Sequence, residues 1–210
     1  EDYNATVETY GFLTIDCQKW KGQEDELLKS CARVYALADS RQAGITYDSI
    51  GVGAGCGSKF KEINEQKYKD ATQAYVNYQA FNAGGKVENP DHIYGDTQVK
   101  NKDHFSNLKS QKWWDIADRF KETFNAVTKG HPIDESRLIS ISSDCSNLDD
   151  LKTELATPFR DFDALGKVKV ESKKDLAKRD IKSPNLADAF IEAYIPVNQS
   201  GGMVFGRRRR

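Results

Sequence analysis

Histidine and cysteine are scarce in this chain, three and four among 210 residues. Cys17, Cys31, Cys56 and Cys145 form no C-x-x-C pair and have no histidine at ligand spacing, which excludes the common zinc-binding patterns. Their wide separation predicts four reduced, buried thiols of a cytosolic protein. Long apolar runs are also missing, and none approaches the roughly 20 residues that span a bilayer. The polar start Glu1-Asp2-Tyr3-Asn4 does not resemble a secretory signal. Nor is there a net charge of either sign to speak of, since Lys plus Arg total 31 against 32 Asp plus Glu. Any face for nucleic acid therefore has to come from local clustering.

Several catalytic signatures are absent as well. The glycine run Gly51-Val52-Gly53-Ala54-Gly55-Cys56-Gly57-Ser58-Lys59 does not fit G-x-x-x-x-G-K-[ST], so no ATP hydrolysis is expected. No G-x-S-x-G occurs, and His92, His104 and His131 lie in polar surroundings, which argues against a serine or cysteine hydrolase.

What is present fits one well-filled α/β domain. Two β-prone runs, residues 5–10 and 12–19, flank Gly11 and predict a hairpin. Leu27, Leu28, Cys31, Val34, Tyr35 and Leu37 recur at helical spacing. A short buried strand over residues 44–50 ends in the glycine turn, and a helix follows to about Gln66. Residues 74–81 read as a strand, and residues 82–102 as a mobile loop or insertion. Helices are predicted over residues 107–127, 148–156 and 172–179, with a second hairpin over residues 159–170. The last helix starts at Ser183-Pro184, a capping residue followed by proline in the first helical position, and runs to Tyr194. This order suits a mixed sheet with helices on both faces. Residues 1–196 form the domain, and residues 197–210, which end in four arginines, form a flexible basic tail.

Two acids sit where apolar burial or a strand end is expected. Asp48 closes the predicted central strand beside the glycine turn, where α/β sheets commonly place ligands. Asp188 lies in the apolar helix segment Leu186-Ala187-Asp188-Ala189-Phe190. Singly, each also fits a structural role, as a turn former or a solvent-facing helix residue. Brought together, two carboxylates repel unless one is protonated or a cation bridges them, and Mg²⁺ or Mn²⁺ prefers such oxygen ligands.

The segment Tyr47-Asp48-Ser49-Ile50-Gly51-Val52-Gly53-Ala54-Gly55 resembles the strand and glycine turn of the nuclease domains of tailed-phage large terminases, and Ser183-Pro184-Asn185-Leu186-Ala187-Asp188-Ala189 resembles their closing helix. Asn107-Leu108-Lys109-Ser110-Gln111-Lys112-Trp113-Trp114 is similar to the family's aromatic helix, and residues 166–174 to its basic hairpin and following helix. The resemblance implies an RNase H-like mixed sheet with an additional hairpin, and metal-dependent cleavage of double-stranded DNA during genome packaging.

Carried over, Asp48 and Asp188 are metal ligands for Mg²⁺ or Mn²⁺, and Lys173 is a basic catalytic residue beside them. Lys167, Lys169, Lys173 and Lys174 are expected to border the site and meet DNA phosphates. The family has a further metal-binding Asp on its first strand. Either that strand precedes Glu1, leaving Asp2 as a makeshift ligand, or Asp16 is the strand acid; the short interval before Glu24 favours the first. Expected partners are duplex DNA, the terminase ATPase domain, the small terminase subunit and the portal ring, in the cytoplasm of a bacterial host. Alternatives are a catalytically weak DNA- or portal-binding module and a resolvase-type nuclease.

Overall fold

The computed structural model describes residues 3–22, 26–70 and 75–197. β1 (Tyr3–Tyr10) and β2 (Leu13–Lys21) form the expected antiparallel hairpin. It turns at Gly11, whose φ of +59° is open to glycine at little cost. α1 (Leu27–Arg41) buries Cys31, Tyr35 and Ala38, spaced four and three residues apart as one helical face requires. β3 (Ile45–Asp48) and β4 (Tyr78–Phe81) pair in parallel, with Asp48 opposite Phe81. The 3-10 turn Gly51–Gly55 and α2 (Cys56–Lys69) make the crossover that a parallel pair needs.

α3 (Asn101–His104) precedes the long α4 (Leu108–Lys129). The α4 helix starts where the Asn107 side chain accepts from Ser110 N, and stops at Gly130, with φ +68°. β5 (Ser140–Ile141) joins β2 in parallel, and α5 (Leu148–Ala156) follows. β6 (Arg160–Phe162) and β7 (Val168–Val170) form the second expected hairpin, then come α6 (Lys173–Lys178) and α7 (Asn185–Ala193).

Helices do cover both faces of β3, by the alternation of its side chains. Ile45 and Tyr47 pack into a cluster with Cys31, Tyr35 and Ala38 of α1 and Phe60 of α2. Thr46 faces the other way and donates to the carbonyl of Ile195, just past α7. The α7 helix packs on β1, β2 and β3. Its Leu186, Ala187, Phe190 and Ile191 enter the main core with Trp113 and Ile116 of α4 and Leu151 of α5. Burying that many large apolar side chains contributes roughly 1.5–3 kcal/mol for each.

Four expectations are corrected. The sheet is mixed but not continuous: among the described residues β1-β2-β5 and β3-β4 are separate hydrogen-bonded sets, so β3 is central by its burial between helices and not by strand order. The four cysteines are not free thiols; Cys17 is joined to Cys145 and Cys31 to Cys56. Sequence separations of 128 and 25 residues hide Cα–Cα distances of 5.8 and 5.7 Å, which lie within the range that a disulfide spans. Residues 82–102 are fastened down instead of loose. The buried Asn101 side chain donates to the carbonyls of Glu88 and Asn89, and the Tyr94 hydroxyl donates to Asp118 on α4. The polar composition of that segment therefore satisfies its own backbone.

The fourth correction concerns the start of α7. Ser183 does not cap it; its hydroxyl bonds to Asn185 Oδ1. Glu154 of α5 supplies the cap from outside the helix, accepting from Leu186 N at 2.7 Å and Ala187 N at 3.2 Å. Burial pushes the Glu154 carboxyl above its ordinary range, while these two N–H groups pull it back. A carboxylate here satisfies two orphan donors and complements the helix dipole. Glu154→Ala is therefore expected to lower unfolding free energy by about 1–2 kcal/mol, and Glu154→Gln by less, since an amide oxygen can still accept. Urea unfolding of both variants checks this. Equal losses would mean that packing of the side chain, not capping, is what matters.

Candidate metal centre

The site forms where the carboxyl end of β3 meets α7. Asp48 follows Thr46 by two residues, so the pleat projects it to the face that α7 covers. Its Oδ1 accepts from Ile50 N at 2.9 Å, which turns the chain away from the strand. Ser49 fixes that turn to β4, its N–H and hydroxyl both donating to the Phe81 carbonyl, at 2.9 and 3.0 Å. Gly53 then folds back so closely that a Cβ there would collide with the Asp48 carbonyl oxygen, which explains why this turn needs glycine.

On α7 the buried residues Leu186, Ala187, Phe190 and Ile191 fix the rotation of the helix. Asp188 and Glu192 stand four residues apart and so share one face, a single turn from each other. Glu192 is only 8% exposed. Its carboxyl is pushed up to about 8, by burial first, then by the negative charges of Asp48 and Asp188, while Lys109 and Lys173 act in the opposite direction. One buried group thus feels both sequence-predicted acids, from two different elements, as well as two ammonium groups. Lys109 reaches Asp188 directly, with Nζ 2.6 Å from Oδ1.

The lysines predicted to line the site divide into two kinds. Lys173 and Lys174, at the start of α6, are exposed, and Lys173 acts on Glu192. Lys167 and Lys169 are engaged within their own surroundings: Lys167 donates to the Lys102 carbonyl at 2.7 Å, and Lys169 pairs with Asp161 at 2.9 Å. Asp2 lies outside the described residues. Asp16 is a structural acceptor. Its carboxylate takes hydrogen bonds from Cys17 N, Gln18 Nε2 and Ser146 N, tying β2 to the segment before α5. Burial raises its pKa, but these bonds outweigh burial and hold it below the ordinary range.

The donor set fits a hard divalent cation in its chemistry: it consists of carboxylates alone, and its buried member is pushed up by burial first and then by its neighbours' negative charge, the part that a cation would relieve. It is not a closed cage. Among the described residues no three His, Cys, Asp or Glu side chains stand close enough to hold a metal by themselves.

Sequence reasoning missed Glu192 and Lys109. Glu192 had a signal, since it is the one other acid of an apolar helix and sits at i+4 from Asp188. Lys109 had none. It reaches the site because Leu108 N and Lys109 N donate to the carbonyls of Gly85 and Ala83, which moor the start of α4 to the turn after β4.

No protein-family model and no curated protein sequence matches the chain. Solved structures do. The nuclease domain of the large terminase subunit gp2 of bacterial virus Sf6 is similar at a TM-score of 0.71 and 23% identity, over 90% of this chain and 80% of that one. A mutant of that domain with manganese and beta-thujaplicinol is similar at 0.74 and 22%, over 92% and 82%. A mutant with calcium gives 0.70 and 22%, over 90% and 80%. The chain thus has the mixed α/β, RNase H-like fold of these nuclease domains, as the sequence motifs predict.

Proposed function

We propose that this chain is a metal-dependent endonuclease that cuts double-stranded DNA during viral genome packaging. The observation that carries the reading is that Asp188 and Glu192 share one face of α7 where it meets the end of β3, and that Asp48 and Asp188 both add their charge to the burial that pushes the Glu192 carboxyl up to about 8. A fold shared with terminase nuclease domains, some of them solved with manganese or calcium, supports it.

In this reading Asp48 and Asp188 hold Mg²⁺ or Mn²⁺, with Glu192 as an added ligand once it gives up its proton. Asp2 stands as a further candidate ligand. When bound, the cation supplies Lewis acidity toward a phosphoryl oxygen. The residues themselves do the positioning. Asp48 is held by the turn that Ser49 and Gly53 fix, and Asp188 by a helix clamped in the core, so the two carboxylates keep their places without a ligand.

Lys173 is the basic catalytic residue beside the site, its ammonium offsetting phosphate charge. With Lys174 it forms the exposed part of a DNA-binding edge, to which Lys167 and Lys169 of the β6–β7 hairpin contribute after leaving their present acceptors. The partners in this reading are duplex DNA, a terminase ATPase domain, a small terminase subunit and a portal ring, in the host cytoplasm.

The test is nicking of supercoiled plasmid and cutting of linear duplex DNA with Mn²⁺ and with EDTA. Cleavage that needs Mn²⁺ or Mg²⁺ is expected. Absence of both cleavage and calorimetric Mn²⁺ binding would reject the reading.

A further inference from the structure

Lys109 stands in the first turn of α4, an unfavourable place for a cation because the helix dipole is positive there. Its ammonium is nevertheless directed at Asp188 Oδ1, at 2.6 Å, and both side chains are largely covered, at 25% and 22% exposure. It also acts on Glu192, one turn further along α7. Lys109 therefore meets the negative charge of the site in the place where a metal ion would meet it. In the same position the ammonium is 5.6 Å from the centre of the Trp113 ring, within reach of a cation–π contact.

We propose that Lys109 is the site's internal counter-ion: it neutralises Asp188 in the metal-free protein and is displaced when a divalent cation binds. This rests on the metal-site reading above. Asp188 has a second carboxylate oxygen, so the exchange is not forced by a lack of lone pairs. It is forced by charge, because an ammonium and a divalent cation on one carboxylate, within a mostly covered site, repel strongly. The backbone of Lys109 is pinned at Ala83, so displacement is a swing of the side chain alone. Lys109 then sets the metal affinity of the site. It keeps Asp188 paired without metal, and it weakens binding of the first cation.

Calorimetric titration of the full chain with Mn²⁺ tests this, in wild type, Lys109→Met, Lys109→Arg and Asp188→Asn. Lys109→Met is expected to bind Mn²⁺ about tenfold more tightly than wild type, since a competing charge is gone. Lys109→Arg keeps the charge and should stay close to wild type. Thermal unfolding supplies a second readout. Lys109→Met should melt lower than wild type in EDTA and gain more from added Mn²⁺.

Equal or weaker Mn²⁺ binding by Lys109→Met, in a wild type whose binding is lost in Asp188→Asn, would overturn the counter-ion role and leave the metal site standing. Absence of binding in both wild type and Lys109→Met would overturn the two together. Binding gained only in Lys109→Met would support the proposal in its strongest form.

Discussion

Asp188→Asn is expected to lower Mn²⁺-dependent DNA cleavage on the order of a thousandfold or more while leaving the fold in place. The amide has the shape of the carboxylate but not its charge, so it cannot serve as an anionic ligand for a hard cation. The structural cost is small. Asp188 makes one ion pair, with Lys109, and its backbone N–H donates to the Pro184 carbonyl, a bond that the substitution leaves intact. Loss of the Asp188 charge also removes one of the two repulsions that raise Glu192. Urea unfolding of the variant should therefore stay within about 1 kcal/mol of wild type. The check is a cleavage rate and an unfolding curve on the same preparation. Retained cleavage would show that a different residue holds the metal, and a lost unfolding transition would show that Asp188 is there for stability.

Asp188 was legible because a charge in the middle of Leu186, Ala187, Ala189 and Phe190 contradicts the apolar pattern around it. Asp48 was legible by its place between a β-prone run and a glycine turn. The hairpins, α1, α4, α5 and α7 followed from periodicity and punctuation, which are local properties of the chain. What stayed hidden depends on contacts between distant segments. β5 is two residues long and exists only because Leu13 and Thr14 accept it as a partner. The cap of α7 comes from Glu154, more than thirty residues upstream, where local chemistry pointed to Ser183. Cys17 and Cys145, and likewise Lys109 and Asp188, meet only through the packing of whole elements. The polar loop before α4 looked mobile because composition records the polarity of Asn101 and Tyr94 but not the partners they find.

Glu192→Gln is expected to stabilise the metal-free protein at pH 8 by roughly 3–5 kcal/mol relative to its effect at pH 4, since each pH unit between the two pKa values contributes up to about 1.4 kcal/mol. The sign follows from the direction of the shift. Glu192 has an ordinary value of 4.5 and is pushed up to about 8 in the folded chain, by burial and then by Asp48 and Asp188, against the opposing pull of Lys109 and Lys173. Between those values the folded state holds a proton that the unfolded state has released. Stability from this residue is therefore full below 4.5, falls as pH rises through the window, and is lowest above about 8. Glutamine keeps the shape of the protonated acid and has no proton to lose, so its stability curve should be flatter over that range. Urea unfolding in EDTA at several pH values, for wild type and variant, measures the difference. Parallel curves would mean that Glu192 is ionised in the folded chain and that Lys109 and Lys173 already compensate its charge. Addition of Mn²⁺ should reverse the ranking: the wild-type carboxyl can release its proton and help to hold the cation, whereas the amide lacks the charge to do so, and Mn²⁺ should stabilise wild type more than the variant at pH 8.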